Sequence, residues 1–250
     1  MSQNSGIVIR RMVKQDVPDL QQLHSAVFRG YDSTMMGADY LKGLYHTLAC
    51  HRACTSIVAL EDGSVLGWVG GVEDWPAFQR ALIRRNVRRA PAIFFSILKN
   101  KPRLLGKTLY VLSRVLHGLV GSLRRRNESK EKGVVSPAVS PSSSDASLLV
   151  IGVAPKHQKQ SLGQLMIKDF HRRVLAKGFV TSNANTFSDN ESGNRAFQKA
   201  GYQLVCSDDG VNHYTKYLTK EAVDSPTGNA AHRFPSQTAS HVSESNVGRD

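Results

Sequence analysis

The stretch that decides the fold is residues 147–202, SLLVIGVAPKHQKQSLGQLMIKDFHRRVLAKGFVTSNANTFSDNESGNRAFQKAGY. An uninterrupted apolar run over 147–153 predicts a buried strand, and apolar residues at helical spacing over 161–178 predict a helix that ends at a glycine. The pattern then repeats, with a strand predicted over 179–186 and a second glycine-ended helix over 190–201. Because a helix connects the two strands, we expect them to run parallel, with room for a ligand at their ends.

The chain on either side of this stretch predicts the rest of a mixed sheet. Residues 7–12 alternate apolar with basic side chains and favour a strand, and helical spacing follows over 13–28 and 38–48. Residues 55–73 form two apolar runs separated by Glu-Asp-Gly, and 202–218 form a closing hairpin. The predicted fold is of the α/β (α+β) class, in the order β-α-α-β-β-(helical insert)-β-α-β-α-β-β.

Composition divides the chain into five segments. The two halves of the predicted domain occupy 7–75 and 147–220, and a basic helical insert, 76–126, separates them. Residues 127–146 are rich in serine and proline and predict a flexible linker, and residues 221–250 have the same character and predict a disordered tail. We therefore expect the chemistry to lie in the two halves of the domain.

The net charge of +13 is concentrated in the insert. Residues 76–126 contain 13 Lys and Arg and no Asp or Glu, whereas the rest of the chain contains 20 basic and 20 acidic residues. Leucines recur every three or four residues from Leu105 to Leu123, which predicts a basic amphipathic helix.

The sequence leaves four roles open for this insert. Its helices could pack on the domain or form a homo-oligomer, or they could make peripheral contact with an anionic membrane through residues 76–126. They could also attract an acidic substrate or bind nucleic acid. The aromatic residues do not alternate with the basic ones as a base-stacking platform would, so nucleic acid is the least favoured partner.

The N-terminal sequence and the cysteines favour a cytoplasmic location. If the insert binds lipid, the protein would lie at the inner face of the membrane. The N-terminal MSQNSGIVIRRM lacks the apolar run of a signal peptide, and no segment reaches about 18 apolar residues. Cys50, Cys54 and Cys206 have no metal-ligand spacing, which favours free thiols in a reducing compartment. We expect no metal site.

A loop of small and flexible residues, 154–163, leads from the first predicted strand directly into a helix. At such a position several backbone N–H groups have no partner within the helix, and the positive end of the helix dipole points outward. This arrangement suits a pyrophosphate without the need for a charged side chain.

Two motifs in this region resemble those of the Gcn5-related N-acetyltransferase family. The first motif is a strand that ends in V-x-P, then Q or R, two residues, G, one residue, and G or A. It is represented here by Val153, Pro155, Gln158, Ser161 and Gly163. The second motif, N-x-x-A followed by an aromatic residue and K-x-G-F, is represented by Asn190, Phe197, Lys199, Gly201 and Tyr202.

This resemblance implies acetyl-CoA as co-substrate and a primary amine as acceptor. The backbone N–H groups of 158–164 would hold the pyrophosphate, the edge of the strand at 151–153 would pair with pantetheine, and Asn190 would bond the pantetheine arm. The cofactor-binding residues that it implies are Ile151, Val153, Gln158, Lys159, Gln160, Ser161, Leu162, Gly163, Gln164, Asn190, Phe197 and Lys199.

The chain departs from the family at two of these positions. Ser161 replaces the first glycine of the loop, which is tolerable at negative φ but would weaken binding in a left-handed conformation. Phe197 stands where the family commonly has the tyrosine that protonates CoA, so no catalytic acid is assigned. No catalytic base is assigned either. The candidates by residue type alone are Glu73, Asp74, His157 and His213.

The acceptor is indicated only by a second resemblance. Residues 24–48, together with the basic insert, look like a bacterial branch associated with surface-polysaccharide biosynthesis, which implies an amino sugar. Family members usually grip the acceptor with segments that correspond to 28–37 and 207–211. Two alternatives remain, a non-catalytic CoA-binding or regulatory module and a membrane-surface-binding protein on the same scaffold.

Overall fold

The computed structural model describes residues 6–29, 34, 36–91 and 144–219. In the first part of the chain the strands and helices are β1 (Val8–Arg11), α1 (Val17–Val27), α2 (Ala38–Cys50), β2 (Cys54–Glu61), β3 (Ser64–Val72) and α3 (Trp75–Asn86). After residue 143 they are β4 (Asp145–Val153), α4 (Leu162–Ala176), β5 (Thr181–Phe187), α5 (Glu191–Lys199), β6 (Gln203–Asp208) and β7 (Val211–Tyr217). This order confirms the predicted fold.

Local signals in the sequence determine several helix ends. Helices α4 and α5 are followed by Gly178 and Gly201, which have φ values of 90° and 81°, and glycine adopts this left-handed conformation without a Cβ clash. Helix α3 begins after Asp74, whose carboxylate accepts a hydrogen bond of 2.8 Å from the backbone N–H of Ala77.

The linker boundary was predicted wrongly by two residues. Strand β4 begins at Asp145, inside the segment 127–146 that the composition assigns to a linker. The cause is pairing with β5, because Asp145 lies opposite Thr181, and Ala146, which is 0% exposed, lies opposite Ser182. Cross-strand burial of this kind cannot be read from a serine-rich segment.

Much of the insert lies outside the described residues. Helix α3 lies at the start of the segment that the sequence predicts as a helical insert. The insert from residue 92, with its predicted amphipathic helix, the linker up to residue 143 and the tail from residue 220 lie outside the described residues and stay predictions.

The seven strands form one sheet in the order β1-β2-β3-β4-β5-β7-β6. Strands β4 and β5 are parallel, as the helical connection predicted, and every other neighbouring pair is antiparallel. The parallel pair therefore lies near the centre of the sheet, where two antiparallel halves meet.

The two faces of the sheet carry separate cores. Helices α4 and α5 pack on one face, where Met166 and Phe170 are fully buried. Helices α1 and α2 pack on the other face around Trp68. Among the described residues, this second core draws its strand side chains from β2, β3 and β4, and draws none from β5, β6 or β7. One face of the β5-β7-β6 half therefore lacks a packed apolar layer in the described part of the chain.

A β-bulge at Leu149 interrupts the alternation of β4. Val150 pairs with Gly70 and Leu148 pairs with Gly71, so Leu149 is the extra residue on β4. As a result, Leu148 and Ile151 both face α4, whereas Leu149 and Val150 both face α1. The sequence analysis did not predict this bulge.

Candidate functional site

Strands β4 and β5 part at the middle of β4. Their register runs from Asp145 opposite Thr181 to Leu148 opposite Ala184 and stops there, although β4 continues to Val153 and β5 to Phe187. The last paired residues, Leu148 and Ala184, form the apex of this opening. The bulge at Leu149 follows at once and bends β4 at that point.

The backbone groups of Ile151 and Val153 face into the opening. In an antiparallel pair, residues that exchange hydrogen bonds alternate with residues whose backbone points away. Ala154 donates to Leu66 O at 2.7 Å, so the bonded positions on β4 are 154, 152 and 150, and positions 151 and 153 point toward β5. The side-chain amide of Gln158 donates to Val153 O at 3.1 Å, in agreement with this orientation.

The loop after β4 contains two residues in the left-handed conformation. Lys159 has a φ of 63°, and Ser161, the residue before α4, has φ 61° and ψ 4°. Residues with a Cβ are rare in this region, and such strain concentrates at ligand sites. Ser161 therefore adopts the left-handed conformation, which is the case that the sequence analysis considered unfavourable for a residue other than glycine.

The N-terminus of α4 presents backbone donors without acceptors. Among the described residues, none accepts a hydrogen bond from the backbone N–H groups of 159–164, and the Ser161 side chain makes no capping bond. By contrast, the N-termini of α3 and α5 are each capped by a side chain, Asp74 and Asn190. These free N–H groups and the helix dipole give the loop an affinity for anions.

Gly163 keeps space beside the open strand edge. A Cβ at this position would lie 3.7 Å from Val153 Cγ2 and 3.8 Å from Ile151 Cδ1, which are ordinary contact distances. Neither the backbone conformation nor close packing therefore requires glycine at position 163. The absence of a side chain at Gly163 leaves a gap between the first turn of α4 and β4.

Asn190 occupies the start of α5, on the far side of the opening. Its Oδ1 accepts from the Gly193 backbone N–H at 3.1 Å, and its Nδ2 donates to Thr186 Oγ1 at 2.8 Å. The side chain thus caps α5 and ties it to β5. Gln164 joins the two helices, because its side-chain amide donates to Ala196 O at 2.8 Å.

Two of the predicted cofactor residues, Leu162 and Phe197, are buried, whereas the loop residues 158–161 are exposed. Leu162 and Phe197 are 2% and 3% exposed and belong to the core under α4 and α5. The Phe197 ring packs against Tyr202 and Tyr214, with centroids 5.3 and 5.7 Å apart. Lys199 is exposed on α5. Their roles toward a cofactor stay predictions.

Three of the four candidate bases have structural partners or lie in the loop. Glu73 is at the end of β3 remote from the opening, where Lys177 Nζ lies 2.6 Å from its carboxylate and the Thr55 hydroxyl donates to it. Asp74 caps α3, and His157 lies in a short 3₁₀ turn at the start of the loop. The fourth candidate, His213, is on β7.

His213 belongs to a polar face that the sequence analysis missed. Tyr214 points into the core with α5, so its neighbours His213 and Thr215 point to the opposite face of the sheet. The Thr215 hydroxyl donates to Asn183 Oδ1 at 2.8 Å, and Asn185 lies opposite His213 on β5. The signal in the sequence was the run TSNANTF, whose polar residues are too frequent for a strand buried on both faces.

Two histidines are buried, one on each face of the sheet. His171 Nε2 and Tyr202 OH are 2.9 Å apart, and Tyr202 OH and Ser182 Oγ are 2.7 Å apart. His24 Nδ1 and Tyr45 OH are 2.6 Å apart on the other face of the sheet. Burial lowers the pKa of His171 to about 3 and that of His24 to about 4, so both rings are neutral at pH 7. They stabilise the two cores.

Solved structures share this architecture. An N-acetyltransferase from Staphylococcus aureus Mu50 is 13% identical to the chain, with 86% of this chain and 100% of that one covered and a TM-score of 0.52. The protein SsHAT is 15% identical, with the same coverage and TM-score.

The chain has the Gcn5-related N-acetyltransferase fold. At this level of identity the likeness concerns the fold alone. No family model matches the sequence, and no curated protein matches it.

Within this fold, the described residues offer neither a membrane span nor a metal site. In the described ranges, no helix is long and apolar enough to cross a bilayer. The same residues contain no group of three or more His, Cys, Asp or Glu able to hold a metal ion.

Proposed function

We propose that the protein is an acyl-CoA-dependent N-acyltransferase that transfers an acetyl group from acetyl-CoA to a primary amine. The observation that carries this proposal is the opening between β4 and β5, which leads directly into the strained loop at the N-terminus of α4. A strand edge and an anion site are thus joined in one continuous surface.

The residues present fit a coenzyme A molecule. The free N–H groups of 159–164 suit its pyrophosphate, and the gap at Gly163 allows the phosphates to approach the first turn of α4. The backbone edges of Ile151 and Val153 suit the amides of pantetheine, which would replace the Gln158 side chain on Val153 O. Pantetheine would then run along β4 toward the apex.

Acetyl-CoA would supply an activated thioester, and the chain's own residues would position it. The bulged residue Leu149 follows the apex, and its backbone is left out of the ladder with β3. We propose its N–H as a donor to the negative charge that would develop on the carbonyl oxygen. The amine would attack directly, and the thiol, with an ordinary pKa of about 8.5, can leave without the tyrosine that Phe197 replaces.

The polar face of β5 and β7 supports a polyhydroxylated acceptor, and we propose an amino sugar of a polysaccharide precursor. Asn183, Asn185 and Thr215 present amide and hydroxyl groups there without net charge. Such groups can both donate hydrogen bonds to sugar hydroxyls and accept hydrogen bonds from them.

Calorimetric titration of acetyl-CoA into the full chain tests the proposal. We expect micromolar binding to the parent and to Gly163→Ala, because a Cβ meets nothing closer than 3.7 Å. Gly163→Glu places a carboxylate against the phosphates and should abolish binding while the protein stays folded. Equal binding by Gly163→Glu, or no binding to a folded parent, would contradict the proposed site.

A non-catalytic CoA-binding module is the second candidate, and the buried Phe197 favours it, since no phenol acid is present at this position. Acetyl-CoA binding without CoA release over a set of amino sugars and other amines would support this module. Measurable release with any of them would support the enzyme.

A further inference from the structure

The fold restricts where the acceptor amine can reach the thioester, and this inference rests on the proposed function. Pantetheine that runs along Ile151 and Val153 brings the thioester to the apex, where Leu148 and Ala184 form the last pair. Both of these side chains belong to the core under α4 and α5, with 2% and 3% exposure. The amine must therefore approach from the opposite face of the sheet.

On that face, His213 is the titratable side chain closest to the apex along β5 and β7. Asn185 follows Ala184 on β5, and His213 is its cross-strand partner on β7. Opposite residues of an antiparallel pair have Cβ atoms about 4.5–5.5 Å apart, so the ring is one strand away from the apex. The ring is half-buried and has no hydrogen-bond partner among the described residues.

We propose that His213 is the general base of the transfer reaction. The amine nitrogen forms a bond to the thioester carbonyl carbon, the proton of the amine passes to a ring nitrogen of His213, and the carbon–sulfur bond breaks. The electron pair of that bond leaves with the thiolate, which takes a proton from water. The ring later returns its proton to solvent, so the sum is an amide and free CoA.

The strands beside His213 place an amide, a thiol and a carboxylate on its face of the sheet. From β5 it faces Asn185, and from β6 it faces the exposed thiol of Cys206. Asp208, opposite Val211, is the nearest carboxylate on the same face. Lys216 of β7 points to the other face of the sheet, where its ammonium donates to Ala200 O at 2.6 Å, and imidazole is a side chain that serves as a general base in catalysis.

The first test is NMR of the ring signals of His213, assigned by their loss in His213→Gln. Saturation of the full chain with acetyl-CoA should shift these signals, and those of His46 on α2 should stay in place. Unchanged His213 signals in a protein that binds acetyl-CoA by calorimetry would overturn the assignment. Absence of any acetyl-CoA binding would instead overturn the proposed function.

The second test measures CoA release, with glucosamine as the probe amine. We expect His213→Gln to lower kcat by about 10²-fold or more, to leave the KM for acetyl-CoA unchanged and to remove the acidic limb of the pH profile. His46→Gln, whose ring contacts Arg85 Nη1 at 2.6 Å, is the matched control with parental turnover. Turnover of His213→Gln within threefold of the parent, or a retained acidic limb, would overturn the proposal. If glucosamine is not acetylated, the NMR result decides.

Discussion

Replacing Ser161 by glycine should stabilise the protein, because Ser161 is held in a conformation that costs a residue with a Cβ. Its φ of 61° and ψ of 4° are left-handed, at a cost of about 1–2 kcal/mol for an L-residue. Glycine removes that cost but adds about 0.4–1 kcal/mol of conformational entropy to the unfolded chain. The exposed Ser161 hydroxyl makes no capping bond, so nothing else is lost. The net gain in the free energy of unfolding should be about 0.5–1 kcal/mol.

Urea unfolding at pH 7 measures this difference, and Gln160→Gly provides the control. Gln160 is exposed and does not share the positive φ of Lys159 and Ser161, so glycine there should destabilise the chain by about 0.4–1 kcal/mol. The two neighbouring glycine substitutions should thus have opposite signs. A Ser161→Gly protein as unstable as Gln160→Gly would refute the claim that the loop stores strain.

Two further predictions concern packing and pH. Gly71→Ala should lower the free energy of unfolding by about 1–3 kcal/mol, because the new Cβ would lie 2.1 Å from Phe170 Cε2 and 2.7 Å from Thr55 O. Thermal unfolding measures this loss, and Gly163→Ala, which we expect to leave stability unchanged, is the control. Stability should be constant above pH 6.5 and fall below it, because the unfolded chain protonates His24 and His171 near pH 6.5 whereas burial holds their folded pKa values at about 4 and 3. Each ring contributes up to about 1.4 kcal/mol per pH unit between pH 6.5 and 4. Urea unfolding at pH 7.5, 6.5, 5.5 and 4.5 should show this slope, His171→Gln should halve it, and a flat profile would exclude the explanation.

The sequence by itself determined the order of the elements and the position of the candidate phosphate loop. Apolar periodicity, the glycines after α4 and α5, and the loop before α4 are local signals, and each depends on residues within one or two turns of chain. For the same reason the strand at 147–153 and the helix at 161–178 were predicted to within two residues of their observed ends.

Only the tertiary structure decided how these elements make a site. The bulge at Leu149, the end of pairing at Leu148 and Ala184, and the start of β4 at Asp145 all depend on which residue of another strand lies opposite. The place of His213, one strand away from the apex, depends on it too. Register between strands far apart in the chain is set by the packing of both faces at once, so a pattern along one segment does not contain it.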